Sequence, residues 1–264
     1  MILLHPNDYH KVTDILNKVE FNNYFAKSVV LQYVTGKIYV DKTENPTVIY
    51  IFHPYGMSLL LGDYTNVEFN SEFRNYCLNT DRVREKADWL QVQPLEWCAV
   101  IEDIAKTSEN IIEQYERLNF KFNREKYLAF RKTIDLNNWE IVETNAEIFD
   151  TMPGTVVPRY FWDNVTDFMS KSKSYTLIIN NQAVSTAFAA YLLDKVLEIG
   201  IQTVDGHYGK EYSAISCCKL IDYCLENELE PVWACKGDNI GSIKLAQKLG
   251  FEKARTGPYY EINF

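Results

Sequence analysis

Apolar residues recur along this chain at two spacings, and the alternation between them predicts a mixed α+β fold. Within residues 1–35, Val12, Ile15, Leu16 and Val19 stand three and four apart, the spacing of one or two helices. The runs IYVD (38–41), VIYIFH (48–53) and SLLLGD (58–63) follow, separated by turn-forming residues at Glu44–Pro46 and Pro54–Gly56, and predict three short strands. NVEFNSEFRNYCLN (66–79) returns to helical spacing, WLQVQ (89–93) reads as a strand and 97–117 as a second helix. LNFKFNREKYLAF (118–130) alternates and predicts another strand.

The tract 131–143 is polar and unpatterned at its centre, which places a boundary near 135. The expected division is an N-terminal α+β domain over 1–135 and a C-terminal domain over 136–264. In the latter, a helix at 157–170 precedes YTLIIN (175–180) and AVSTAFAAYLL (183–193), joined at Asn181-Gln182 as in a hairpin. LEIGIQTV (197–204), a helix over 209–227, PVWAC (231–235), a helix over 239–249 and a last strand from Phe251 complete it. The N-terminal half, read coarsely, has the same order of elements, so a degenerate duplication and a chance recurrence both stand.

Composition narrows the function classes. The 47% hydrophobic and 24% charged content is that of a globular protein with a sizeable core. The net charge of -9 argues against a general nucleic-acid binder, which needs a basic face to release counterions. No apolar run approaches the roughly 18 residues of a membrane-spanning helix, and the N-terminus lacks the basic and long apolar regions of a signal peptide. The six cysteines show no disulfide framework, and neither they nor the four histidines have metal spacing. A cytoplasmic protein with free thiols and no metal is expected.

The stretch VDGHYGKEYSA (204–214) carries the strongest chemical signal. Gly206 and Gly209 allow close backbone approach and Lys210 follows. The next helix presents Ala214, Cys217, Cys218, Ile221, Cys224 and Leu225 as an inward stripe. Free N–H groups at such a helix start, with the helix dipole, suit an anion. A strand-to-helix turn that needs glycine only for its angle reads equally from this stretch. KGDNIGSIKLAQKLGFEKA (236–254) adds a second helix with Asp238 or Asn239 as N-cap, ending at Gly250 in the left-handed position with Phe251 folding back.

Taken together, LEIGIQTV, YGKEYSA, PVWAC and NIGSIKLAQKLGF resemble the GNAT superfamily of acyl-CoA-dependent N-acyltransferases over about residues 140–264. The wording PVWAC…N..S..LA.KLGF is most similar to its zwittermicin-resistance branch. The resemblance implies a mixed sheet flanked by helices whose fourth and fifth strands splay to admit a pantetheine arm, with acetyl-CoA as co-substrate. It implies backbone of Gln202, Thr203 and Val204 beside the thioester and pantetheine. Tyr208, Gly209, Lys210, Glu211, Tyr212 and Ser213 would wrap the diphosphate. Asn239 and Ser242 would face the pantetheine, and Lys244 or Lys248 the phosphates.

Three positions of the family's [Arg/Gln]-x-x-Gly-x-[Gly/Ala] loop differ here, being Tyr208, Glu211 and Ser213. Ala246 stands where many members carry a tyrosine. Glu211 extends the inward stripe on an ideal helix, about 20° from Cys218, which would aim a carboxylate at the diphosphate. A like charge about 4 Å away costs roughly 4 kcal/mol at an effective dielectric near 20. A helix start shifted by a residue or two would instead turn Glu211 to solvent. For catalysis, Glu198 is the candidate base, because in the family that strand often supplies one; Tyr212 is the candidate acid, with Tyr259 and Tyr260 also available. The expected function is acetyl transfer from acetyl-CoA to an amine of a small molecule, by a monomer or homodimer that engages neither nucleic acid nor membrane. The alternatives are a GNAT-shaped binding module with a degenerate acyl-CoA site, and a transferase of longer acyl chains.

Overall fold

The three apolar runs near the N-terminus fold as strands β2 (Lys37–Val40), β3 (Val48–Phe52) and β4 (Met57–Gly62), behind a two-residue β1 (Ile2–Leu3). These four pair antiparallel in succession. Strand β5 (Asp88–Gln93) joins β4 in parallel. Helices α1 (Thr13–Leu16) and α2 (Tyr24–Val30) precede β2, α3 (Val67–Cys77) lies between β4 and β5, and α4 (Trp97–Ala105) follows β5.

This computed structural model describes residues 1–107 and 111–264. The helix expected over 97–117 stops at Ala105; 108–110 lie outside the described residues, and from Ile112 the chain is strand β6 (Ile112–Phe122). The strand expected over 118–130 ends at Phe122. Asn123 then caps helix α5 (Arg124–Arg131), its side chain accepting the Lys126 N–H at 3.1 Å.

The remaining elements are β7 (Glu140–Glu143), α6 (Ala146–Thr151), α7 (Val165–Lys171), β8 (Ser174–Ile179) and β9 (Gln182–Leu193). They continue as β10 (Val196–Thr203), α8 (Tyr212–Glu226), β11 (Glu230–Lys236), α9 (Ile240–Lys248) and β12 (Phe251–Ile262). The helix expected over 157–170 is a single 3-10 turn, Pro158–Tyr160, followed by the short α7. The β8–β9 hairpin turns on Asn180 and Asn181, with φ of 51° and 61°, one residue earlier than expected and in the conformation of a type I′ turn.

Two compact units result. The first comprises Met1–Arg117, Lys236–Asp238 and Thr256–Phe264; the second comprises Leu118–Cys235 and Asn239–Arg255. Strands β6 and β12 therefore each change unit partway along their length. They run antiparallel: the Asn263 N–H bonds the Ile111 carbonyl at one end, and the Asn123 N–H bonds the Gly250 carbonyl at the other. The strand order is β1-β2-β3-β4-β5-β12-β6 in the first unit and β7-β8-β9-β10-β11-β6-β12 in the second. Each unit thus lays out five strands in chain order and closes with the two shared ones.

The boundary expected near 135 is not where the units part, because residues 118–135 go with the second. Side chains of α5 explain this. The Tyr127 hydroxyl donates to the Cys218 carbonyl at 2.9 Å and to Asp222 Oδ1 at 2.6 Å, and Arg131 Nε donates to Asp222 Oδ2 at 2.7 Å, tying α5 to α8. The polar tract after α5 is a surface connection inside a unit rather than a linker.

In the first unit, Tyr50, Leu60, Leu90 and Tyr260 pack with Phe69 and Phe73 of α3 and Trp97, Ile101 and Ile104 of α4. In the second, Leu197, Ile199, Trp233 and Phe251 pack with Cys217, Cys218, Ile221 and Cys224 of α8, Ala246 of α9 and Leu249, the residue that ends α9. None of the six cysteines is in a disulfide. Burial pushes the Cys218 and Cys224 thiols up to about 12, as inert core positions require.

Candidate active site

Strand β10 keeps β9 along its whole length, from Val196↔Leu193 to Thr203↔Ser185. Its other neighbour leaves it early: the parallel pairing with β11 covers Val196↔Glu230, Leu197↔Pro231 and Glu198↔Val232 and then stops. The departure coincides with a register shift between Glu198 and Ile199, where Ala190 is the extra, bulged residue on the facing β9; a bulge adds local twist to the pair. From Ile199 onward one edge of β10 is open.

Which amides face that gap follows from the ladder. The Val204 N–H is spent on the Val184 carbonyl at 2.9 Å. In an antiparallel pair alternate residues turn their N–H and C=O to the partner strand, so Gln202 also faces β9, while Ile201 and Thr203 turn to the gap. Of the three residues expected to line a thioester channel, only Thr203 presents its main chain there, and its carbonyl already accepts from Gln202 Nε2 at 2.8 Å. The Gln202 side chain has another task, accepting the Thr155 and Val156 N–H groups at 3.2 and 3.1 Å; a Cβ on Gly154 would collide with it at 2.2 Å.

Beyond β10, Gly206 and Gly209 take φ of 81° and 74°, and a Cβ on either would meet nothing within 4 Å. Glu211 is itself left-handed (φ 64°, ψ 4°) and is the N-cap of α8, which has no side-chain cap. The helix begins at Tyr212, so the helical projection that would aim Glu211 inward does not apply. Its carboxylate is half-exposed and forms an ion pair with Lys248 from the last turn of α9. The N–H groups of Tyr212, Ser213 and Ala214 find no acceptor among the described residues, the condition in which a helix start receives an anion.

The sequence matches the GNAT acetyltransferase family over residues 16–260. The chain belongs to this family. It is 25% identical over 232 residues to the uncharacterized N-acetyltransferase YdfB of Bacillus subtilis (strain 168), with 86% of each chain covered. Among solved structures it is similar to a GCN5-related N-acetyltransferase-like protein from Streptococcus suis 89/1591, at TM-score 0.72 and 16% identity over 97% of this chain and 98% of that one. It is also similar to a tandem GNAT protein from the clavulanic acid biosynthesis pathway, at TM-score 0.62 and 10% identity over 99% and 97%.

Within this GNAT acetyltransferase the other expected site residues fall as follows. Glu198 is buried, lies at the bulge where β10 and β11 part, and stands opposite Tyr191 on β9. Phe188, two pairs further along that ladder, stands opposite Gly200, and Phe161 packs on both Phe188 and Tyr191. Tyr212 turns the other way: its ring meets Trp139 edge-on at 5.7 Å and packs on a cluster of Leu177, Val184 and Ile215. That cluster lies on the β8–β9 side of β10, away from β11.

Asn239 caps α9, accepting the Ser242 N–H at 3.0 Å, and the Ser242 hydroxyl accepts the Trp233 indole N–H at 3.0 Å. The pair fixes the start of α9 to β11. Tyr208 and Lys210 are exposed, as is Lys244. Tyr259 and Tyr260 are both buried in the first unit. Among the described residues no group of acidic, histidine and cysteine side chains could hold a metal, and no helix is long and apolar enough to cross a membrane.

Proposed function

We propose that the second unit is an acetyl-CoA-dependent N-acetyltransferase that passes an acetyl group directly to an amine of a small molecule in the cytoplasm. The observation that carries this reading is the opening between β10 and β11 followed at once by the uncapped start of α8. A pantetheine-like arm needs main-chain groups along a strand edge, which Ile201 and the Thr203 N–H supply beside the parted β11, and a diphosphate needs unpaired N–H groups, which the start of α8 supplies. The zwittermicin-resistance branch is the part of the family whose α9 wording this chain shares, and Ala246 fits that branch.

Gly209, Lys210 and the amides of Tyr212–Ala214 would hold the diphosphate, with Tyr208 and Ser213 flanking it. Lys248, paired with Glu211, would keep that carboxylate neutralised beside the diphosphate, which offsets the like-charge cost that the sequence raises. Main-chain groups of Ile201 and Thr203 would orient the arm, and an amide facing the gap would polarise the thioester carbonyl. Glu198 would accept the proton that the amine loses as its nitrogen bonds the acetyl carbon and the carbon–sulfur bond breaks. Asn239 and Ser242 act by holding α9 against β11.

The first experiment is a thermal melt with and without saturating acetyl-CoA, for the natural protein and Glu211→Gly, followed by an amine panel read as free thiol released. Ligand at about 100 times its dissociation constant adds about 2.7 kcal/mol, a rise of several degrees. A rise in the natural protein and amine-dependent thiol release are expected. A rise only in Glu211→Gly would mean a blocked site and a binding module; preference for longer acyl-CoAs would move the reading to another acyl group.

A further inference from the structure

Four strand segments of the first unit bring aromatic and charged side chains to one place. Trp89 on β5 stacks on Tyr259 of β12 at 5.3 Å and 28°, and meets Tyr115 of β6 at 6.0 Å. Lys236, the last residue of β11, sets its ammonium 3.3 Å from the Tyr115 ring centre and 4.8 Å from that of Trp89. Arg117 lies over the far ring, Tyr259, at 5.3 Å.

Three carboxylates face the same ammonium. Asp238 approaches it to 3.2 Å, while Glu113 is engaged by the Tyr115 hydroxyl and by Asn263 Nδ2. Glu261, paired with Trp89 across the β5–β12 ladder, is half-buried, and its carboxylate has no hydrogen bond or salt bridge among the described residues. Burial, then repulsion from Glu113 and Asp238, raises its pKa, against the pull of Lys236. Three carboxylates therefore gather about one lysine, with Arg117 over the far ring, so the site's charge suits the exchange of that ammonium for another. The turn is fixed by Gly237, whose N–H donates to the Glu116 carbonyl at 2.7 Å and whose Cβ, if present, would press on Glu116 at 3.0 Å.

We propose that Trp89, Tyr115 and Tyr259 form a recognition cage for the alkylammonium group of a small molecule, and that Lys236 is its internal occupant, displaced when such a ligand binds. Aromatic faces attract ammonium ions through the ring quadrupole, more strongly as water is excluded. The lysine reaches the cage on a flexible four-carbon stem and its head remains partly exposed, so leaving requires rotation about side-chain bonds only. The cage is independent of the transferase reading, since it lies in the first unit and binding alone reveals it.

The test follows the Trp89 indole N–H resonance of the full chain by NMR, assigned with Trp89→Phe, during titration with tetramethylammonium, n-butylammonium and the neutral isostere 3,3-dimethylbutanol. Both cations should move the resonance and the alcohol should not. Lys236→Met should bind the cations about tenfold tighter than the natural protein, and Tyr115→Leu added to Lys236→Met should bind them about tenfold more weakly than Lys236→Met alone, as the loss of a cation–ring contact requires. Melting temperatures of both variants show whether they remain folded, and Lys236→Gln replaces a variant that does not. An unmoved resonance in folded Lys236→Met, or equal effects of the alcohol and the cations, overturns the proposal.

Discussion

The pair β4–β5 in the first unit and the pair β10–β11 in the second occupy the same place in the strand order, and both run parallel. They differ in how far they stay together. β4 and β5 hold register over five positions, from Met57↔Trp89 to Leu61↔Gln93, where β5 ends. β10 and β11 separate after three, at the bulge beside Glu198.

The turns that follow differ in the same sense. Before α3, Asp63 accepts both the N–H and the hydroxyl of Thr65 at 2.9 and 2.6 Å, and Asn66 accepts the Phe69 N–H at 3.0 Å. That helix start is satisfied by its own side chains and fronted by a carboxylate. Before α8 two glycines leave open space and no side chain caps the helix. One strand order therefore carries a shut pair and an open pair, and the proposed chemistry belongs to the bulge and the uncapped helix start rather than to the fold.

The largest effect that would sharpen this contrast is at the bulge. Glu198→Gln should lower the acetyl-transfer rate by roughly 100- to 1,000-fold, within the range general-base removal produces, while the stabilisation by acetyl-CoA in a thermal melt stays unchanged. A variant with the natural rate would place the base elsewhere. Next comes Lys248→Ala, which leaves Glu211 unanswered at the helix start. Its dissociation constant for acetyl-CoA, measured by calorimetry, should rise roughly tenfold, the scale of one lost charge-assisted hydrogen bond. Because the Glu211–Lys248 pair is exposed, the unliganded protein should melt within a degree or two of the natural one. The smallest effect belongs to the shut pair: Asn66→Ala should cost about 1 kcal/mol in urea unfolding and leave acetyl-CoA affinity as it was. Weakened affinity in that variant would break the contrast.

The sequence carried most strands plainly, since the runs at 38–41, 48–53, 175–180 and 183–193 have apolar or alternating patterns bounded by turn residues. It obscured α5 because Leu118, Phe120 and Phe122 alternate as a strand should, and the helix opens at Asn123 with no glycine or proline to mark the change. The loop at 204–211 was legible as an anion-type turn. The fate of Glu211 was not, because it depends on where α8 starts and on a lysine 37 residues away. The parting of β10 from β11 was implied only by resemblance, since a bulge arises from register between strands. The cage around Lys236 draws on four separate strands, and no local pattern could announce it.

The division of β6 and β12 between units bears on how the protein is made. The first unit is incomplete until Thr256–Phe264 have left the ribosome. Its five N-terminal strands must wait with an unpaired edge at β5 through most of synthesis. A gene cut at the polar tract near 135 would yield two fragments, each lacking a strand it needs. Here the unit of folding is the finished chain, and a lone N-terminal fragment presents the exposed strand edge at which aggregation begins.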